Sequence, residues 1–222
     1  MKRLSSWLLG LTTILLPLLL ITTAIRILLT PTYLQIAYRL PAFPPDPFGF
    51  TTEERLYWAN YSLTYLLNQA DISFLADQTL SNGQPLYNAR ELRHMVDVKN
   101  LVQLMLHVWT ALIIFYGVVG IWFWRTHQGS AFWRALSRGG WLTLGLILLI
   151  LIGVVVSFNW LFTAFHRLFF EGDTWLFYYS DTLIRLFPLR FWQDAFTAMG
   201  LLTLTLALIT ALGGQKLASR TA

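Results

Sequence analysis

Four apolar blocks, at residues 7–29, 101–124, 141–162 and 195–212, constrain this chain more than any other feature. As helices rising about 1.5 Å per residue, each is long enough to cross a hydrocarbon core of about 30 Å. With 56% hydrophobic residues and a mean hydropathy of +0.55, the chain cannot be an ordinary soluble domain, because such a surface would bury itself in lipid or aggregates. The expectation is an all-α membrane protein: a four-transmembrane-helix bundle forming one integral membrane domain over residues 1–222. Two extracytoplasmic segments, 30–100 and 163–194, would contain interfacial or re-entrant helices. The first block follows Lys2 and Arg3, and "TTA" at 22–24 could serve as a signal cleavage site. Its apolar core outruns the roughly 7–15 residues of a signal peptide, so it reads as a retained span.

Charge gives the orientation. If the N-terminus is cytoplasmic, the inner segments hold Lys2, Arg3, Arg125, Arg134, Arg138, Lys216 and Arg220 and no acidic residue, while every Asp and Glu lies in the outer segments. That bias predicts both termini inside and the ionisable chemistry outside. The net charge of +5 does not imply nucleic acid, since the basic residues sit scattered at membrane borders rather than in one stripe. Cysteine is absent, which removes disulfides, thiolate metal sites and Cys-linked acyl intermediates.

The first outer segment opens with "PAFPPDPFGF" at 41–50, whose four prolines forbid a helix and favour a stiff extended run. Thr51 followed by Glu54 marks a helix start. The helix after it carries Leu56, Ala59, Tyr61, Leu63, Leu66 and Leu67 on overlapping faces, as an interfacial helix would. "SNGQP" at 81–85 is a turn. No Gly or Pro falls between Leu86 and Gly117, so the helix bearing His94 is expected to run straight into the second span. The second outer segment mixes aromatics with charges, and Gly172 and Pro188 break it into short helices.

"RELRHMVDVK" at 90–99 packs six ionisable residues into ten positions of this apolar chain. The bland account is a solvated helix face with Arg93 pairing Asp97 and Glu91 pairing His94. Of four histidines, His127 belongs to an inner loop, and His107 lies about 20 Å along the helix from His94. His94 just precedes the second span and His166 just follows the third, so the two can meet. Two imidazoles near acidic and basic neighbours would form a proton-transfer site near neutral pH. A zinc site using Asp97 or Asp173, or a haem between the two histidines, would need the same pair, but no tight ligand spacing appears. No GxSxG frames Ser157 or Ser180 as a nucleophile.

"LRHMVDVK" at 92–99, "FH" at 165–166, "FFEGDTW" at 169–175 and "DTLIRLFP" at 181–188 together resemble the Lit family of bacterial lipoprotein intramolecular transacylases, and the resemblance covers nearly the whole chain. It implies acyl transfer from the sn-2 glyceryl ester of a diacylglyceryl lipoprotein to the amine of its N-terminal Cys. It implies His94 and His166 as the catalytic pair, with no cofactor and no metal. Arg93, Lys99 and Arg167 become expected oxyanion or headgroup donors, Asp97 and Asp173 expected imidazole partners, and Trp175 and Asp181 supporting residues of the same motifs. The partners implied are the lipoprotein substrate and membrane lipid, with a monomer working at the outer face of the plasma membrane. The alternatives from other classes are a non-enzymatic lipid-recognising or accessory membrane protein and a dihistidine metal or haem protein.

Overall fold

The computed structural model describes residues 2–220. They form helices α1 (Lys2–Leu28), α2 (Pro31–Tyr38), α3 (Thr52–Leu67), α4 (Ser73–Ala76), α5 (Ala89–Arg125), α6 (Gly129–Phe169), α7 (Thr182–Leu186) and α8 (Leu189–Arg220). The fold is all-α, and α1, α5, α6 and α8 are long and apolar enough to cross a membrane. Backbone groups inside lipid must be satisfied within the segment, which long helices achieve. Helix α5 carries residues 89–125 without interruption, whereas α6 has one non-helical residue, Ser157. Two compact units divide the chain.

Unit 1 comprises Met1–Arg26, Leu106–Val156 and Thr197–Ala222. Its helices approach closely through small residues, as membrane helices do where lipid tails supply no hydrophobic drive for association. A Cβ added at Gly140 would lie 2.7 Å from the Ala211 nitrogen, and one at Gly139 would lie 2.8 Å from the Leu16 side chain. Polar ties cross between helices: the Tyr116 hydroxyl donates to the Thr12 carbonyl at 2.7 Å, and Thr13 Oγ1 donates to the Ala135 carbonyl at 3.1 Å. Apolar side chains such as Ile114, Leu149, Val155 and Val156 remain largely exposed, the surface a lipid solvent covers.

Unit 2 comprises Ile27–Met105 and Ser157–Phe196. Its core gathers Tyr65, Leu75, Leu86, Tyr87, Met95, Leu183 and Leu186. Thr51 and Glu54 form the capping box that starts α3, satisfying two backbone donors reciprocally. The 81–85 turn closes with Gly83 at φ +81° and an isolated bridge between Thr79 and Pro85. The proline-rich run is non-helical and delivers Asp46, whose buried carboxylate pairs with Arg185 at 2.8 Å. Helix α3 differs in part from the expected interfacial face. Its buried side chains are Arg55, Ala59, Ser62, Leu63 and Tyr65, so the protein interior also claims polar positions. Arg55 donates to the Arg185 carbonyl at 2.8 Å and to the Pro44 carbonyl at 2.7 Å, which explains how a charged residue sits inside.

Candidate functional site

Helix α5 begins one residue after Asn88, whose side chain accepts from the Arg90 and Glu91 backbone nitrogens at 3.0 and 3.1 Å. The Glu91 carboxylate returns the contact, accepting from Asn88 N at 2.8 Å, and its second oxygen accepts from Leu183 N at 2.7 Å. Glu91 is thus a buried clamp between the start of α5 and α7. The expected Glu91–His94 pairing does not form among the described residues; the Glu91 carboxylate turns to the two backbone donors instead. One turn further on, His94 projects from the same helix.

His166 lies near the end of α6, and its ring centroid stands 6.2 Å from that of His94, with 20° between the ring planes. Both imidazoles are buried, each with 8% exposure. Aromatic side chains wall them in: Phe170 and Phe177 stand edge-on to His94 at 4.9 and 5.3 Å, while Phe162 and Trp175 pack on His166 at 4.1 and 4.9 Å. Gly172, at φ +64°, turns the chain after α6 and its carbonyl accepts from Trp175 Nε1 at 3.1 Å. A side chain there would strain this left-handed backbone.

The two rings differ in hydrogen bonding. His166 Nδ1 lies 2.8 Å from the Phe162 carbonyl. A carbonyl only accepts, so this nitrogen carries the proton, and in the neutral ring Nε2 keeps the lone pair. His94 Nδ1 is buried with no hydrogen-bond partner. A buried polar atom without a protein partner is uncommon.

The charged residues sort into near and far. Lys99 donates to the Ala70 carbonyl and the Asn68 side chain and sits 4.1 Å over the Tyr65 ring, which engages it away from the imidazoles. Arg93 and Arg167 are exposed, and neither forms an ion pair among the described residues. The expected Arg93–Asp97 pair is likewise missing there, and no hydrogen bond joins Asp97 or Asp173 to an imidazole. Asp181 instead accepts from the Tyr178 backbone at 2.9 Å and from Asn88 at 3.1 Å, and pairs with Arg90 at 3.4 Å.

Arg90 is the residue that motif reading underweighted. It lies one helical turn before His94, and its guanidinium carbon stands 5.9 Å from the Phe177 ring and 5.0 Å from the Tyr178 ring. Its Nε is buried and unpartnered. The i, i+4 spacing to His94 was the available signal, since such positions share a helix face. Among the described residues, no three His, Cys, Asp or Glu side chains gather as a metal site requires.

Four apolar helices long enough to cross a membrane define an integral membrane protein, and one of its two units carries paired imidazoles in an aromatic enclosure. The family model for "Lipoprotein intramolecular transacylase Lit" matches residues 10–192, and the chain belongs to that family. An uncharacterized protein of Aquifex aeolicus is 28% identical over 196 residues, covering 86% of this chain and 87% of its own. The solved structure of the membrane integral lipoprotein intramolecular transacylase Lit from Bacillus cereus has a TM-score of 0.78 at 19% identity, covering 99% of this chain and 98% of that one. A structure of the Bacillus cereus protein with one histidine replaced by arginine gives 0.77 at 20% identity, covering 99% and 94%. These likenesses establish a shared fold.

Proposed function

We propose that the protein transfers an acyl chain within a diacylglyceryl lipoprotein, from the sn-2 glyceryl ester to the α-amine of the N-terminal Cys, leaving a lyso-form lipoprotein. Family membership supports the reaction class, and the facing imidazoles, 6.2 Å apart, carry the assignment of residues. Donor and acceptor belong to one molecule, so orientation supplies much of the rate and no enzyme nucleophile is required. The amine nitrogen attacks the ester carbonyl carbon, forming the C–N bond. The tetrahedral intermediate then expels the glycerol oxygen as the C–O bond breaks.

His166 is the general base and then the general acid. The amine enters as the free base, its ammonium proton lost to water. The Phe162 carbonyl holds the His166 Nδ1–H, so the lone pair of Nε2 takes the remaining extra proton from the attacking nitrogen as the C–N bond forms and returns it to the departing oxygen. His94 orients the headgroup through its unpartnered Nδ1. Arg90, steadied by Asp181, supplies positive charge and an N–H to the carbonyl oxygen as it becomes an oxyanion. Trp175, Phe170 and Phe177 exclude water and line the acyl path. Arg93 and Arg167, both exposed, are headgroup contacts at the rim. Asp97, Asp173 and Lys99 act in support, Lys99 by tying α5 to the loop at Ala70.

The protein works as a monomer surrounded by lipid in a bacterial plasma membrane, with both termini cytoplasmic and the imidazoles at the outer face, as the charge bias supports. The test is expression of wild type, His94→Ala and His166→Ala in a lipoprotein-producing host, with N-terminal lipopeptides read by mass spectrometry. Wild type yields the lyso form and each variant loses it. Lyso product from both variants, or none from wild type, defeats the proposal.

A further inference from the structure

All eleven acidic residues of the chain lie between Asp46 and Asp194, and none falls within unit 1. Unit 1 holds Lys2, Arg3 and Arg26 in its first stretch, Arg125, Arg134 and Arg138 in its second, and Lys216 and Arg220 in its third. No acidic side chain of the unit stands beside that charge. Near the start of α6 and the end of α8 the two helices touch backbone to backbone: a Cβ at Gly214 would lie 2.7 Å from the Trp133 carbonyl. So close an approach leaves longer side chains to spread along the flank of the contact. There they line an open groove of about 450 Å³ formed by Arg134, Ser137, Arg138 and Trp141 of α6 with Gln215 and Ser219 of α8.

We propose that this groove binds the phosphate headgroup of an anionic membrane phospholipid. Arg134 and Arg138 are one turn apart on α6, exposed, and form no ion pair among the described residues. Guanidinium forks at i, i+4 match the oxygens of a phosphodiester bidentately. Gln215 adds a neutral donor for glycerol hydroxyls, and Ser219, whose own O–H goes to the Lys216 carbonyl, can accept from them. Trp141, about half exposed, is the residue type that settles at headgroup depth. Basic grooves between membrane helices hold anionic lipid heads by these means. The groove belongs to unit 1 and the imidazole pair to unit 2.

The test is native mass spectrometry of the purified full chain, titrated with phosphatidylglycerol, phosphatidylcholine and soluble glycerol 3-phosphate. Wild type retains phosphatidylglycerol in preference to phosphatidylcholine. Arg134→Gln with Arg138→Gln weakens that binding roughly 25-fold, at about fivefold per basic residue removed. Arg3→Gln with Arg125→Gln removes the same charge from exposed positions outside the groove and leaves binding near the wild-type value. Should the double variant not fold, each single variant serves, at about fivefold. Equal loss in both pairs, which means a diffuse surface field, overturns the proposal, as does no loss in the groove pair. Displacement of the lipid by equimolar glycerol 3-phosphate also overturns it, because the occupant is then a free phosphate.

Discussion

His166 Nδ1 stands 2.8 Å from the carbonyl oxygen of Phe162, one turn earlier in α6. That contact sets which nitrogen of the ring is free. Nitrogen-15 NMR of histidine-labelled protein in micelles is expected to report His166 with Nδ1 protonated and Nε2 bare. A resonance pattern with the proton on Nε2 would contradict the base assigned to this ring.

Arg90 is expected to act on the rate rather than on substrate capture. Removing an oxyanion donor lowers kcat by about 10²–10³, with little change in KM. Arg90→Gln should fall in that range. Arg90→Lys should recover part of it, since the charge survives without the fork. Asp181→Asn, which loosens the guanidinium without removing it, should fall between wild type and Arg90→Gln. A purely structural role would instead raise KM and lower thermal stability with kcat intact.

Glu91→Ala leaves two backbone N–H groups, of Asn88 and Leu183, without their acceptor. The Leu183 N–H is buried and Asn88 N only partly so, and the expected loss is about 1–3 kcal/mol from the first with a smaller addition from the second. Thermal unfolding in detergent, followed by circular dichroism, measures it. A Tm unchanged from wild type rules out the clamp.

Acid should weaken unit 2 through the Asp46–Arg185 pair. Burial works to raise the Asp46 pKa, but hydrogen bonds from Arg185 and the Phe50 N–H, the Arg185 charge and the Phe48 N–H outweigh it, and the pKa lies below the usual carboxylate value. A carboxyl with a depressed folded pKa contributes its full stabilisation above the unfolded pKa, near 3.9, and loses it as pH falls through the lower folded value. Asp46→Asn is therefore expected to have a lower Tm than wild type at pH 7, with the difference shrinking below about pH 4. A constant difference across that range refutes the linkage.

Two glycines of α6 should respond with opposite sign. Gly140→Ala forces a methyl against Ala211 N and the Ala207 carbonyl, and overpacking of this kind costs about 1–3 kcal/mol. Gly145→Ala meets nothing within 4 Å and should stabilise the helix by up to about 1 kcal/mol. Thermal unfolding of the two variants in one detergent compares them. Equal effects would mean that the close α6–α8 contact is absent.

Local pattern announced much of this molecule. Residues 51–54 declared a helix start, and the gap without Gly or Pro after Leu86 declared the unbroken α5, because capping and chain breaking act over a few residues. The sequence also pointed to His94 and His166 before any coordinates placed their rings 6.2 Å apart. Charge partners were less legible. Arg93 and Asp97 have the spacing of a helical pair yet form none, and Lys99 turns to Ala70 instead of the imidazoles.

By itself, the sequence determined that the chain is helical and membrane-borne, that its acidic residues are segregated from its basic borders, and that two histidines flank apolar spans. These follow from composition and short-range spacing. Only the tertiary structure decided that Arg90 meets Asp181, that Glu91 clamps Leu183, and that Asp46 meets Arg185, contacts spanning 91, 92 and 139 positions. The physical reason is that a buried charge takes whichever partner the packed core brings within about 3 Å, and sequence spacing carries no record of that choice.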